Sequence, residues 1–245
     1  MVRVACVSDV HSPKYLDLFK GALKKIEEIS IDLFLFAGDM IYKGKVDELN
    51  ELIVILEKSE IKFPIYSCFG NEEFDKLYDK IREIGKNKII FLEDELVTFQ
   101  KKGKSIGIIG TKGSLAEPTW WQARNIPNIR KLYRNKIKKI EQLTTQFNTD
   151  LRILLFHYAP TYLTVVGEPE RSYPQMGTPA YEKIILNKNF KIDIVFHGHA
   201  HRGRKFALLN NRIPIHNVAI PLTKKITIID LPKTPMRGSI LSYLK

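Results

Sequence analysis

The chain has 245 residues, a formal net charge of +12, and 44% hydrophobic and 27% charged residues. This balance excludes a disordered or fibrous protein, and the length suits one large α/β domain, since no linker rich in Ser, Gly or Pro divides the sequence. The apolar runs have the length of strands, which excludes a membrane-spanning helix, and Met1–Cys6 enters a strand pattern directly, without a signal peptide. We therefore expect a single cytoplasmic domain over residues 1–245, with Cys6 and Cys68 as reduced core residues.

The N-terminal third alternates short apolar runs, which predict buried strands, with segments of helical periodicity. After the first run, Val2–Val7, Ser12 is a candidate helix N-cap and Pro13 suits the first helical position. The pattern predicts further strands at 31–37 and 65–69 and helices at 15–29, 46–56 and 74–81. Such alternation indicates parallel strands joined by right-handed crossovers, so the loops that follow the strands share the carboxyl edge of the sheet, where ligands of open α/β sheets bind.

Past Gly85 the apolar runs become shorter, and we predict that a second sheet starts there. Its first strands are expected at 89–92, 96–99 and 106–109. Two more buried strands are expected at 151–156 and 192–196, with a helix near 180–186 between them. The last three strands are predicted to be antiparallel members of the second sheet, at 205–209, 213–218 and 226–231.

The segment 111–150 is interpreted as an insertion within the single domain. Its first part, 111–127, is predicted to be a loop; Trp120 and Trp121 on it either pack beneath the loop or form a substrate wall, together with Arg124, Arg171 and Tyr173. Its second part predicts a basic amphipathic helix with five inward apolar residues: Leu132, Tyr133, Ile137, Ile140 and Leu143. The basic residues of 130–139 form either a solvated face or a contact with nucleic acid. A second long connection, 161–178, is typical of a functional cover.

Five apolar runs end in side chains that can bind a metal ion: Asp9 with His11, Asp39, Asn71, His157, and His199 with His201. A single such residue is usually a cap or a satisfied polar group, but five repetitions indicate a site. Carboxylate, carboxamide and imidazole together form a mixed oxygen and nitrogen donor set, which suits Mn, Fe, Co, Ni or Zn. Seven ligands exceed what one tetrahedral ion needs, whereas two ions about 3.5–4 Å apart with one bridging carboxylate would use them.

The order of these residues resembles the motifs of the calcineurin-like metallophosphoesterase superfamily from Asp9 to His201, most of the chain. The matching motifs are DxH, GD, GNH(D/E), H and GHxH, at Asp9-Val10-His11, Gly38-Asp39, Gly70-Asn71-Glu72-Glu73, His157 and Gly198-His199-Ala200-His201. The resemblance implies a four-layer α/β/β/α sandwich of two mixed sheets flanked by helices, with the metal site at the carboxyl ends of the strands.

The resemblance also implies the role of each ligand. One divalent ion binds Asp9, His11 and His201. The other binds Asn71, His157 and His199, and Asp39 bridges the two ions. A hydroxide that bridges the metals is the implied nucleophile, so no protein nucleophile is needed, and Asn71 and His157 also serve catalysis.

Two departures from the family's pattern concern the leaving group. Glu72 stands where many relatives have a histidine that protonates the leaving oxygen or stabilises the transition state. Because the reference pKa of glutamate is about 4.3, Glu72 is a poor general acid and repels phosphate. Tyr42 replaces an acidic residue that often follows the GD motif. His197 lies outside the motifs and is interpreted as a residue that merely ends a strand, whereas His216 stays ambiguous.

These observations favour a metal-dependent hydrolase of small phosphoesters that prefers diesters to monoesters. A diester carries less charge near Glu72, and an enzyme without an acid at this position favours good leaving groups. One alternative is a nuclease or nucleic-acid-binding member of the same superfamily, which the charge of +12 and the 130–139 helix support. Another is a non-catalytic protein-interaction scaffold on this fold, although all seven ligands are retained.

Overall fold

The computed structural model describes residues 1–59 and 63–232, and its strands form two sheets. The first sheet has the order β11-β1-β2-β3-β4. Its strands are β1 (Val2–Val7), β2 (Leu33–Ala37), β3 (Ile65–Cys68), β4 (Ile90–Leu92) and β11 (Thr227–Leu231). Strands β1 to β4 run parallel, and β11 pairs antiparallel with β1 at one edge.

The second sheet has the order β5-β6-β7-β8-β10-β9. Its strands are β5 (Glu95–Lys101), β6 (Lys104–Thr111), β7 (Leu151–Phe156), β8 (Ile194–His197), β9 (Phe206–Leu209) and β10 (Ile213–Asn217). The four central strands are parallel, and the edge strands β5 and β9 are antiparallel to their neighbours. Every predicted strand is therefore present, and the pair Lys101–Lys104 closes the β5–β6 hairpin.

Helices cover the outer face of each sheet. The α-helices of the described residues are α1 (Leu16–Lys24), α2 (Glu48–Lys58), α3 (Tyr78–Gly85), α4 (Trp120–Asn125), α5 (Ile129–Thr144), α6 (Tyr173–Met176), α7 (Glu182–Leu186) and α8 (Ile220–Thr223). One core joins α1, α2 and α3 to the first sheet, for example Phe19 and Leu52 to Phe36. Another joins α5 and α7 to the second sheet, for example Ile140 to Leu154.

A third core lies between the two sheets. Successive residues of a strand point to opposite faces, so Val4 and Cys6 of β1 face this core while Ala5 and Val7 face the helices. Leu155 of β7 lies in the same inter-sheet core. Both faces of each sheet are therefore covered, which explains the continuous apolar runs and gives the predicted α/β/β/α sandwich.

The structure corrects the predicted sheet membership. Strand β4 adds to the first sheet instead of opening the second, β11 returns to pair with β1, and β10 is parallel to β8. The β11 pairing is reinforced at the sheet edge by an ion pair of 2.8 Å between Arg3 and Asp230. An apolar run predicts burial but carries no information on its neighbour, so the pattern alone does not assign a strand to a sheet.

Three local predictions are wrong. Helix α1 starts at Leu16 with Tyr15 as N-cap, because the Ser12 amide donates to Met40 and its hydroxyl to Glu48, which keeps residues 11–13 in the loop. The segment 111–127 contains α4, whose capping box is formed by Thr119 and Gln122. Leu132 of α5, predicted to point inward, is 49% exposed. Among the described residues, no helix is both long and apolar enough to span a membrane.

Candidate metal centre

Loops from both sheets meet at the carboxyl ends of their parallel strands. The Asp9 amide donates to Gly38 O at 3.0 Å, which joins the loops after β1 and β2. The Gly198 amide donates to His157 O at 3.1 Å, which joins the loops after β7 and β8. Four of the proposed ligands have left-handed backbone conformations, with φ between 44° and 68°: Asp9, His11, Asp39 and His199. Such conformations are uncommon outside glycine and concentrate at functional sites.

The first cluster of donor atoms contains Asp9, His11 and His201, and the atoms lie within 4.8 Å of one another. His201 Nε2 is 2.9 Å from Asp9 Oδ1, and His11 Nε2 is 3.6 Å from the same oxygen. Asp9 Oδ2 accepts hydrogen bonds from Ser8 Oγ at 2.5 Å and from the His199 amide at 3.0 Å. The Asp9 carboxylate is therefore fixed from both sheets.

The second cluster contains Asp39, His157 and His199, also within 4.8 Å of one another. Asn71 joins it, because its Oδ1 lies 3.0 Å from His157 Nε2. Asp39 Oδ2 lies 3.4 Å from His157 Nε2 in this cluster and 3.7 Å from His11 Nε2 in the first. All seven predicted ligands thus converge, and Asp39 lies between the two clusters.

The donor arrangement around His157 fits a cation. His157 Nδ1 lies 2.9 Å from Ala37 O, an acceptor, so Nδ1 carries the proton of the neutral ring. The Nε2 lone pair then faces two further acceptors, Asn71 Oδ1 and Asp39 Oδ2. Asn71 is held in this orientation because its Nδ2 donates to Glu72 Oε1 at 3.3 Å. No proton lies between these three lone pairs, so they repel one another. A bound metal ion would stabilise this arrangement.

In His199, as in His157, a backbone carbonyl fixes one ring nitrogen and leaves the other for a metal ion. Its Nε2 donates to Gln175 O at 3.2 Å, which leaves the Nδ1 lone pair for a metal ion and fixes the orientation of the ring. Gln175 belongs to the long connection 161–178, so part of this connection orients a proposed ligand. Sequence reasoning did not identify Gln175, because a backbone carbonyl gives no signal in the residue pattern.

Burial sets the protonation of the imidazoles in the second cluster. Burial lowers the pKa of His157 to about 3 and that of His199 to about 4, so both rings are neutral near pH 7. Burial also opposes the charge of Asp9, but hydrogen bonds from His11 and His201 hold its pKa well below the ordinary value. For Asp39, burial and the negative charges of Glu73 and Asp9 raise the pKa. Positive charge supplied by metal ions would offset this repulsion.

Glu73 is a structural residue that sequence reasoning quoted in its motif without giving it a role. Its carboxylate is only 2% exposed and accepts four backbone hydrogen bonds of 2.6–3.2 Å, from the amides of Gly70, Asp39, Met40 and Ile41. It therefore ties the loop after β3 to the loop after β2. In the sequence, the signal for this structural role is the position of Glu73, the acidic residue at the end of the Gly70-Asn71-Glu72-Glu73 motif.

Hydrogen bonds hold Glu72 beside the second cluster, so its side chain does not face the cluster freely. Its Oε2 accepts a hydrogen bond of 2.7 Å from the Lys43 amide, and its own amide donates to Asp39 Oδ1 at 2.8 Å. The backbone of Glu72 therefore positions Asp39, while the side chain is engaged with the loop after β2.

Two tyrosines flank the ring of His11. The Tyr15 and Tyr42 ring centroids lie 6.2 and 6.0 Å from the His11 centroid. Lys14 Nζ stands over Tyr15 at 4.8 Å and Lys43 Nζ over Tyr42 at 4.9 Å. Two ammonium groups are thus held near the first cluster.

The remaining histidines lie outside both clusters. His197 is buried at the end of β8; its Nε2 lies 2.7 Å from Thr164 Oγ1 and its Nδ1 2.8 Å from Gly198 O, and burial lowers its pKa to about 4. This placement agrees with its interpretation as a strand-terminal residue. His216 packs against Phe196 and Phe206 in the second sheet.

The residues of the predicted substrate wall lie on two segments of the chain, 120–124 and 171–173. Trp120 and Trp121 are 74% and 60% exposed, so neither packs beneath its loop, and Arg124 stands over the Trp120 ring at 5.4 Å. Tyr173 packs against Tyr162, and Arg171 lies exposed on a 3-10 turn. The two segments nevertheless adjoin, since amides of 116–117 donate to carbonyls of 174–177 at 2.9 and 3.1 Å.

Comparison with known proteins agrees with this geometry. The fold is similar to that of a phosphopantetheinyl hydrolase from Mycobacterium tuberculosis, with a TM-score of 0.66, 15% identity and coverage of 96% of this chain and 98% of that one. It is also similar to a dimetal phosphatase from Danio rerio, with a TM-score of 0.62, 11% identity and coverage of 90% and 88%. No curated protein sequence matches the chain significantly. The model of the calcineurin-like phosphoesterase family matches residues 2–203. The chain therefore belongs to this family of hydrolases, which bind a dinuclear centre of divalent metal ions.

Proposed function

We propose that the protein hydrolyses small phosphodiesters in preference to phosphomonoesters, at a dinuclear centre held by seven side chains: Asp9, His11, Asp39, Asn71, His157, His199 and His201. The observation that carries this proposal is the position of Asp39, whose Oδ2 lies 3.7 Å from a donor atom of one cluster and 3.4 Å from a donor atom of the other. A carboxylate at such a junction is suited to bridge two ions. The donor set favours Mn, Fe, Co, Ni or Zn.

When bound, the ions would supply hydroxide from water near neutral pH and polarise the phosphoryl oxygens. The protein's own contribution is orientation. Ala37 O and Gln175 O fix the rings of His157 and His199, and the Glu72 amide fixes Asp39.

Charge at the mouth of the centre supports the preference for diesters. The Glu72 carboxylate, which replaces the family's histidine, lies next to Asn71 and repels the dianion of a monoester more than the monoanion of a diester. Lys14 and Lys43 supply compensating positive charge near His11. Without a histidine to protonate the leaving oxygen, the enzyme should favour esters with good leaving groups.

The test is reconstitution of the metal-free protein. Chelated and desalted protein is supplied with Mn, Ni, Zn or Mg and assayed with bis(p-nitrophenyl) phosphate and with p-nitrophenyl phosphate. We expect activity only with added metal, and a higher kcat/KM for the diester. No turnover with any ion would refute hydrolysis, whereas a higher kcat/KM for the monoester would refute the diester preference alone.

A further inference from the structure

A second functional surface lies on α4 and the N-terminal part of α5. The α4–α5 surface, as we call it, consists of Trp120, Trp121, Arg124 and five exposed basic residues of α5: Arg130, Lys131, Arg134, Lys138 and Lys139. The sequence contains two tryptophans, and both belong to this surface, 74% and 60% exposed. Large apolar side chains exposed together are informative, because folding normally buries them.

The charge of the α4–α5 surface is uncompensated. Arg130, Arg134 and Lys138 recur every four residues, so they line one stripe of the helix about 12 Å long. Within residues 1–59 and 63–232, none of the five basic residues of α5 forms an ion pair. Lys136 provides the contrast, since it forms an ion pair with Asp94 at 2.5 Å and has a structural role. These exposed cationic side chains can therefore bind anionic groups of a partner.

A groove between α4 and α5 borders the basic part of the surface. It has a volume of about 310 Å³, with Pro118, Ile126 and Ile129 among its apolar lining residues. Three of the basic residues border it: Arg130, Lys131 and Arg134. A partner that fits the α4–α5 surface as a whole needs apolar flat groups for the exposed tryptophans and regularly spaced negative charge for the basic stripe.

We propose that the α4–α5 surface binds single-stranded nucleic acid. Phosphates would contact the stripe of cations, and unpaired bases would stack on the exposed indoles, the combination by which sequence-tolerant single-strand binding works. A duplex satisfies the phosphate contacts but hides the faces of its bases. This role adds to the proposed hydrolase function and does not depend on the metal ligands.

An anionic membrane is a weaker fit to the same residues. Helices that lie in a membrane interface present their apolar residues on one face. Trp120 and Trp121 are neighbours on a helix and diverge by about 100°, and Leu132 is the one large apolar residue of α5 with high exposure among those described. Protein interfaces are enriched in Trp and Arg, but their cores are depleted of charge, so the uncompensated row of cations on α5 disfavours a protein partner.

The position of the tryptophans makes the test direct, because intrinsic tryptophan fluorescence reports on this surface alone. Titration of the full-length protein with oligo-dT should quench the fluorescence by stacking, and a duplex of equal length should bind more weakly. The logarithm of the association constant should fall with the logarithm of salt concentration, with a slope on the order of −3 if the five cations neutralise phosphates.

Two variants test the assignment by anisotropy of a labelled oligonucleotide. Arg130→Gln with Arg134→Gln should reduce the salt slope by about 1, whereas Lys24→Gln with Lys25→Gln, an equal loss of charge from exposed positions at the end of α1, should leave the slope unchanged. Trp120→Ala with Trp121→Ala should weaken binding by about thirtyfold or more, since each indole would stack on one base.

Three outcomes would overturn the proposal. One is the absence of quenching by oligonucleotides at low salt. Another is equal or tighter binding of the duplex, which would remove the role of stacking. The third is a blue shift with vesicles of anionic lipid but no response to oligonucleotides, which would assign the surface to a membrane instead.

Discussion

At the scale of single residues, Asp39 connects the two halves of the proposed centre. Replacement of Asp39 by Asn keeps its shape but removes the charge that both clusters share, so we expect hydrolysis to fall to background and the affinity for metal at both positions to fall. Metal content after dialysis and kcat/KM measure the two effects. Asp17→Asn, an equal change of charge on the exposed face of α1, is the control and should bind metal normally. If Asp39→Asn keeps full activity, the bridging assignment is wrong.

Glu73 offers a separate prediction, on stability. Each of its carboxylate oxygens accepts two backbone N–H groups. In Glu73→Gln, whichever way the amide is turned, its NH₂ group faces two donors, so two buried amides lose their acceptor. We expect a loss of about 2–3 kcal/mol in the free energy of unfolding, measured with urea. Glu83→Gln at an exposed position of α3 should cost little, and equal stabilities of the two variants would contradict this role for Glu73.

Glu72 decides the proposed preference for diesters. Glu72→His provides a proton donor and removes a negative charge, so the kcat/KM for the monoester should rise relative to that for the diester. Glu72→Ala removes the charge alone, and a smaller rise there would separate the two contributions. Thermal unfolding of both variants controls for loss of the contact with the Lys43 amide. An unchanged ratio in both would show that Glu72 does not set specificity.

The residue pattern predicted the seven proposed ligands but not their supports. The ligands end apolar runs, and parallel strands bring such ends together, so their convergence follows from local sequence. Gln175 acts through a carbonyl and Glu73 through contacts with backbone amides, which depend on the path of the chain in space. No local pattern encodes either contact.

At the scale of elements, the strand-to-loop junctions carry the site because glycines permit close approach there. A Cβ atom on Gly198 would lie 2.4 Å from Asp9 Oδ2 and 2.3 Å from Ser8 Oγ. We therefore expect Gly198→Ala to displace the Asp9 carboxylate and to weaken metal binding while the fold is retained, as judged by circular dichroism.

Gly21→Ala is the matched control for this substitution. A Cβ atom at Gly21 in α1 meets nothing within 4 Å, so the variant should keep its metal and gain about 0.5–1 kcal/mol of stability from helix propensity. Full metal binding by Gly198→Ala would show that the junction tolerates a side chain and that the close approach is not required.

The elements themselves were more predictable than their arrangement. Hydrophobic periodicity marked every strand, but β4 and β11 joined the first sheet against expectation. The twist of the sheets and the position of a free sheet edge decide which strands pair. A short apolar run in the sequence contains information on neither. Helix α1 begins later in the sequence than predicted for a related reason. The tertiary hydrogen bonds of Ser12 outweigh its propensity to cap the helix.

At the scale of the whole molecule, we propose that the chain is one domain that includes 111–150. Leu33 and Leu35 of the first sheet share a core with Ile153 and Leu155 of the second, so the sheets are not independent units. Within 111–150, α5 buries Ile140 against the second sheet. The insertion is therefore packed on the domain through α5, while α4 stays largely exposed.

The proposed ligands come from both sheets, so metal binding should stabilise the whole domain. Four of the ligands follow strands of the first sheet: Asp9, His11, Asp39 and Asn71. The other three follow β7 and β8 of the second sheet: His157, His199 and His201. Ions bound between them stabilise only the folded state, in which the sheets are packed together. At a free metal concentration a hundred times the Kd, each bound ion should add about 2.7 kcal/mol, which corresponds to a rise in Tm of about 5–10 °C per ion for a chain of this size.

Calorimetry with and without chelator measures this gain. Asp39→Asn should lose most of it, because the residue contributes to both clusters. Asp17→Asn should keep it in full. A Tm that does not change when metal is removed would mean that the seven residues hold no ion in the folded protein, since any ligand bound to the native state alone must raise its stability.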